Sequence, residues 1–97
     1  MKKHQITEVQ ILPIKPTEGL VAFASLILDF DLYLGSIGVV TRPEGGYRLL
    51  YPTKKIGDRS ISLFYPINRN FSKEIEEEVI KKFEEVTKND RHGSFSP

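Results

Sequence analysis

"LVAFASLILDFDLYLGSIGVV", residues 20–40, decides the fold class of this chain. Its first half, 20–29, is apolar at both parities, the pattern of a strand covered on both faces. Residues 29–31, Asp-Phe-Asp, supply turn chemistry, and "LYLGSIGVV" (32–40) brings the chain back. Gly35 and Gly38 weaken the packing of that second strand and mark a bulge or a close backbone approach.

Outward from this pair the same spacing continues. Upstream, "ITEVQILPI" (6–14) alternates, with Thr7, Val9 and Ile11 on one face. Pro13 and Pro16 make its far end a sheet edge or an exit, because proline cannot donate to a ladder. "KPTEG" (15–19) is a turn. Downstream, "TRPEGG" (41–46) is a second turn, since proline presets φ and the glycine pair permits φ > 0. "YRLLY" (47–51) alternates, a short basic loop follows, and "SISLFY" (60–65) alternates again. Five β segments at hairpin spacing, with no helical period between them, imply an antiparallel meander.

The period changes near residue 70. Ile75, Val79, Phe83 and Val86 form one stripe of an amphipathic helix, with Ser72 as its N-cap and Glu74, Glu76, Glu77 and Glu78 toward the positive end of its dipole. That stripe covers one face of the sheet. The expected fold is therefore α+β, an antiparallel meander sheet of about five strands followed by a C-terminal amphipathic helix. One domain spans 1–87, and the aperiodic 88–97 reads as a flexible tail.

A chain of 97 residues has room for one core. Without cysteine there is no disulfide, thiolate chemistry or Cys-based zinc site, in keeping with a reducing cytoplasm. The opening "MKKHQITEVQ" lacks the apolar stretch of a signal peptide, and no run approaches a membrane span, so a cytoplasmic protein is expected. Asp29 and Asp31 are the only closely spaced carboxylates resembling a catalytic pair, yet they stand where a turn needs small polar residues. His4 and His92 lie in the two terminal segments without metal-ligand spacing. No nucleophile elbow or phosphate-binding glycine loop is present. The expectation is a non-enzymatic protein with no cofactor and no metal.

Charge is unevenly distributed. Residues 42–69 hold six bases (Arg42, Arg48, Lys54, Lys55, Arg59, Arg69) against Glu44 and Asp58, a net +4, whereas residues 70–97 net −2. A basic centre beside an acidic helix can steer an anionic partner, or can be an ordinary solvated surface. Tyr33, Tyr47, Tyr51, Phe64 and Tyr65 lie on or beside strands near the basic loop. Such aromatics can stack on bases, or can be core.

The ordered set "AFASLILD" (22–29), "LYLGSIGVV" (32–40), "YPTKK" (51–55), "YPIN" (65–68) and "KEIEEEVIKKFEEV" (73–86) resembles the SpoVG family of septation proteins over most of residues 6–86. In that family a strand ending in a Pro-Ser/Thr-Lys-basic motif enters a loop, here Pro52, Thr53, Lys54 and Lys55. The next strand ends in Pro-Ile-Asn, here Pro66, Ile67 and Asn68. An Arg-Asp pair usual in the family is replaced by Ile61 and Ser62, a histidine by Tyr65, and an acidic-then-basic pattern around Ile37 by Ser36 and Gly38. The resemblance implies a small α+β domain, dimerisation, a link to septation and sporulation in bacteria, and regulators that bind DNA or RNA.

The basic loop then has two readings. It is the phosphate-facing edge of a nucleic-acid site, formed by Lys54, Lys55 and Arg59 with Arg48 and Arg69, or a polar hairpin tip whose lysines protect an edge from aggregation. The corresponding functions are a regulator binding DNA or RNA, and a septation-pathway adaptor that binds protein. A homodimer is expected in either case, because one short helix cannot cover all the apolar surface of such a sheet.

Overall fold

A computed structural model describes residues 4–89. Four strands form the main sheet in chain order: β1 (Ile6–Thr17), β2 (Leu20–Leu28), β3 (Leu32–Thr41) and β4 (Tyr47–Leu50), every neighbour antiparallel. A separate two-stranded hairpin follows, β5 (Thr53–Ile56) with β6 (Arg59–Ser62), and then one helix, α1 (Arg69–Asn89). The fold is α+β, an antiparallel meander followed by a C-terminal helix.

The strands are divided differently from the expectation. The fifth segment does not join the meander. Residues 53–62 close on themselves through Gly57 and Asp58, with Gly57 at φ 61° supplying the positive φ that a two-residue Gly-X turn needs. Lys54 and Lys55 are thus strand residues, and the expected strand 60–65 is ordered as β only to Ser62. Leu63 donates its N–H to the Pro52 carbonyl at 2.9 Å, closing the base of this arm.

β1 runs three residues beyond its expected end, through both prolines to Thr17, as its place at the sheet edge allows. Glu18 and Gly19, both at positive φ, make the tight turn into β2. A bulge at Glu8 (φ 52°) shifts the register between Thr7 and Gln10. Thr7 therefore pairs with Ile27 and leaves the face shared by Val9 and Ile11, contrary to the expected alternation. A second bulge at Gly35–Ser36 lies between the Leu26–Leu34 and Ala24–Ile37 pairs. Gly38 is the close approach: a Cβ there would sit 2.9 Å from Leu20 Cδ1 and 3.4 Å from Leu50 Cβ.

The core lies between α1 and one face of the sheet. Ala22, Ala24 and Leu26 of β2 and Ile37 and Val39 of β3 meet Ile75, Val79 and Phe83, all buried. The helix backbone runs closest to β1 and reaches β2 and β3 through the side chains of this core. β2 is not covered on both faces, since one helix covers one. On the opposite face Leu12, Phe23, Tyr33 and Leu50 remain exposed. Gln10, Leu12, Phe23, Ser25, Tyr33 and Ser36 line a shallow depression of about 460 Å³ there.

Asn68, not Ser72, caps the helix. Its Oδ1 accepts the Phe71 N–H at 2.9 Å, and its carbonyl accepts the Ser72 N–H, the first helical bond. The glutamates accordingly begin beyond the first turn, which holds no acid, so their help from the dipole is small. The helix includes Lys88 and Asn89, and the rest of the expected tail, 90–97, lies outside the described residues. No helix among the described residues is long and apolar enough to cross a membrane.

Candidate nucleic-acid interface

β5 and β6 form an arm whose eight strand residues are all exposed. Strand alternation divides its side chains between two faces. One face holds the cross-strand pairs Lys54–Ile61 and Ile56–Arg59, a checkerboard of cations and aliphatics; the other holds Thr53–Ser62 and Lys55–Ser60. The sequence treats Lys54, Lys55 and Arg59 as one cluster. In the fold Lys54 and Arg59 share a face and Lys55 projects from the other. Together with Asp58 they give the arm a net +2. Among the described residues none of these three cations has an acidic partner within ion-pair distance.

The other two candidate cations stand apart from the arm. Arg48 lies in β4 opposite Val40, on the sheet face away from the helix. Arg69 is the first residue of α1 and lines a groove of about 390 Å³ with Pro66, Ile67, Asn68, Ser72, Lys73 and the acid Glu76. A cation at a helix N-terminus is disfavoured by the dipole, so Arg69 is not placed there for helix stability.

The aromatics separate into two groups. Tyr47 meets Phe83 edge-on with ring centroids 4.9 Å apart, and Tyr51 meets Phe64 at 6.1 Å, all four packed with the core. Burial, with the Glu76 charge adding to it, pushes the Tyr51 phenol up to about 12. Only Tyr33 and Tyr65 of the five remain largely exposed. No aromatic stands on the arm itself, so stacking on bases is not part of what the arm offers.

Asp29 is a turn residue, as expected, and does more than turn the chain. Its Oδ1 accepts the Gln5 N–H at 2.8 Å and its Oδ2 lies 3.0 Å from His4 Nδ1. The Gln5 amide and then the His4 ring hold its carboxyl below the ordinary value of 3.8. His4 also packs against Phe71, with ring centroids 4.5 Å apart, and so joins the start of β1, the β2–β3 turn and the first turn of α1. Nothing near His4 in the sequence marks this role, since a contact 25 positions away leaves no local signal. His92 lies outside the described residues. Among the described residues no group of three His, Cys, Asp or Glu side chains is placed to hold a metal ion.

The SpoVG family profile matches residues 4–85, which takes in the whole sheet, the arm and most of α1. The chain belongs to the SpoVG family. A curated SpoVG relative from Finegoldia magna, named "Putative septation protein SpoVG", is 34% identical over 82 residues, covering 84% of this chain and 75% of that protein. The match includes the arm, so the basic hairpin lies inside the family domain and is not an appendage to it.

Proposed function

We propose that this SpoVG-family chain is a non-enzymatic regulator of the septation and sporulation type that binds DNA or RNA through its arm, in the bacterial cytoplasm. The carrying observation is the set of three cations, without acidic partners among the described residues, on an exposed two-stranded ribbon. A ribbon of this kind is narrow enough to enter the major groove of duplex DNA, and lysine and arginine side chains along it can neutralise phosphates. Arg48 and Arg69 stand apart from the arm, so the reading rests on Lys54, Lys55 and Arg59. Phosphate contacts fix position and affinity and leave sequence choice to other groups.

The test is a gel-shift series with duplex DNA and single-stranded RNA at rising ionic strength, using wild type and a Lys54→Ala/Lys55→Ala/Arg59→Ala variant. Retardation at low salt that weakens with salt, and that the variant loses, supports the reading. Failure of the wild type to retard any probe at low salt overturns it.

A second reading, a septation-pathway adaptor, draws on a different observation. Leu63, Tyr65 and Ile67, between the arm and the helix, are exposed, Ile67 at 91%. Apolar side chains in succession at a surface mark protein contacts. The adaptor reading expects a protein partner whose capture survives the triple substitution and nuclease treatment. Capture lost on either one counts against it.

A further inference from the structure

We infer that the open face of the sheet holds a slot for one unpaired nucleobase of a single strand, framed by Tyr33 and Phe23. The inference rests on the nucleic-acid reading and supplies what the arm lacks, a surface on which a base can stack.

The slot is the shallow depression of about 460 Å³ that crosses β1, β2 and β3 on the side away from the helix. Phe23 and Leu12, cross-strand partners, stand at one end, and Tyr33, opposite Ile27, stands at the other. Ser25 and Gln10, also cross-strand partners, lie between these ends, with Ser36 beside them at the bulge. Phe23 is 37% and Tyr33 66% exposed, so both rings have surface left for a ligand. Gln10, Ser25 and Ser36 make no side-chain hydrogen bond among the described residues. A carboxamide and two hydroxyls are thus free to meet the polar edge of a base.

The backbone is shaped around this slot. Ser36 is held at φ 61°, an uncommon conformation for a residue with a side chain, and such positions gather at ligand sites. Gly35 leaves room for the phenol end of Tyr33. A Cβ at 35 would sit 2.8 Å from Tyr33 Cε2 and 2.9 Å from its Oη. Glycine therefore lets the tyrosine lie over the sheet, the posture that a stacking platform needs.

Charge decides the occupant. No charged side chain lines the slot, so a free nucleotide would bring its phosphate to a place without a cation. A base within a strand keeps its phosphates outside, and Arg48 stands on the same face to meet them. Phe23 pairs with Gly38, Gly38 pairs with Leu50, and Arg48 is two residues along β4 from Leu50. Asp29 and Asp31, at the Tyr33 end, repel phosphates there, so the strand leaves toward β4. A paired base cannot enter, because its neighbours cover its faces and its partner covers its edge. Unpaired bases are open to aromatic stacking.

Fluorescence anisotropy of a short labelled oligoadenylate at low salt, with the full chain, tests the slot. Tyr33→Ala should weaken binding by about 5- to 150-fold, the loss of one base stack, while Tyr33→Phe should bind as wild type. Gly35→Ala should weaken binding too, although Tyr33 is still present, because the new methyl displaces its ring. Circular dichroism should show each variant folded. A sugar–phosphate chain of the same length without bases should bind Tyr33→Ala and wild type alike. Equal affinity of Tyr33→Ala and wild type for oligoadenylate, or an equal loss on the base-free chain, overturns the slot. The arm reading still stands in that case if the Lys54→Ala/Lys55→Ala/Arg59→Ala variant has lost affinity. Binding that needs Tyr33 but is unchanged in that triple variant refutes the arm reading and leaves the slot standing. A wild type that binds no probe overturns both.

Discussion

Asn68 illustrates how a single side chain sets the start of an element. Its Oδ1 takes the Phe71 N–H, one of the amides that a helix start leaves unpaired. Asn68→Ala should destabilise the protein by about 1 kcal/mol in urea unfolding, whereas Ser72→Ala should change little. A larger loss at Ser72 would contradict the assignment. Asp29 acts at the same scale through charge. Its carboxyl is held below 3.8 in the folded chain, so its contribution to stability is present above that pH and is lost as the pH falls through the lower folded value. Asp29→Asn should therefore flatten the acid limb of a stability–pH curve. Tyr51 has the opposite sign. Its phenol stays neutral to about 12 when folded and ionises near 10.0 when unfolded, so its contribution is full below 10.0 and fades as the pH rises toward 12. Tyr51→Phe should remove that part of the alkaline decline, and an unchanged limb would show that Tyr51 is not its source.

At the scale of elements, the helix and the turns were legible because their signals are local. Of the stripe Ile75, Val79, Phe83 and Val86, the first three are buried as their spacing predicts and Val86 is only half-buried, and Pro-Glu-Gly-Gly closes the β3–β4 turn between Arg42 and Gly46. The bulges were not legible in full. Glu8 and Ser36 are not residues that advertise a positive φ, and only Gly35, beside Ser36, carried a hint. The fate of residues 53–62 was hidden for another reason. Alternation shows that a segment is a strand but not which strand it pairs with, and here a two-residue turn favours the local partner over the sheet. The packing of α1 on β2 and β3 gives its own test. Leu26→Ala, at a fully buried position, should cost about 2–5 kcal/mol in chemical denaturation, whereas Ile67→Ala should stay within about 0.5 kcal/mol. Comparable losses at both positions would mean that the core is misplaced.

For the whole molecule, the family was legible from the order of its motifs, and the candidate cations were legible as a cluster. Their division between two faces of an arm was not, because the face each side chain takes depends on the register that the turn sets. The uncovered face of the sheet follows from arithmetic of shape: one helix covers one face, and β2 is apolar on both. The central claim is that the arm holds phosphate. It is tested most directly by fluorescence anisotropy of a labelled duplex over a range of salt concentrations. Each phosphate neutralised contributes about −0.9 to the slope of log K against log salt. Removal of Lys54, Lys55 and Arg59 together should therefore make the slope shallower by about 2.7, with circular dichroism unchanged. A triple variant that binds with the same slope as wild type would show that the phosphate contacts lie elsewhere and would contradict the account.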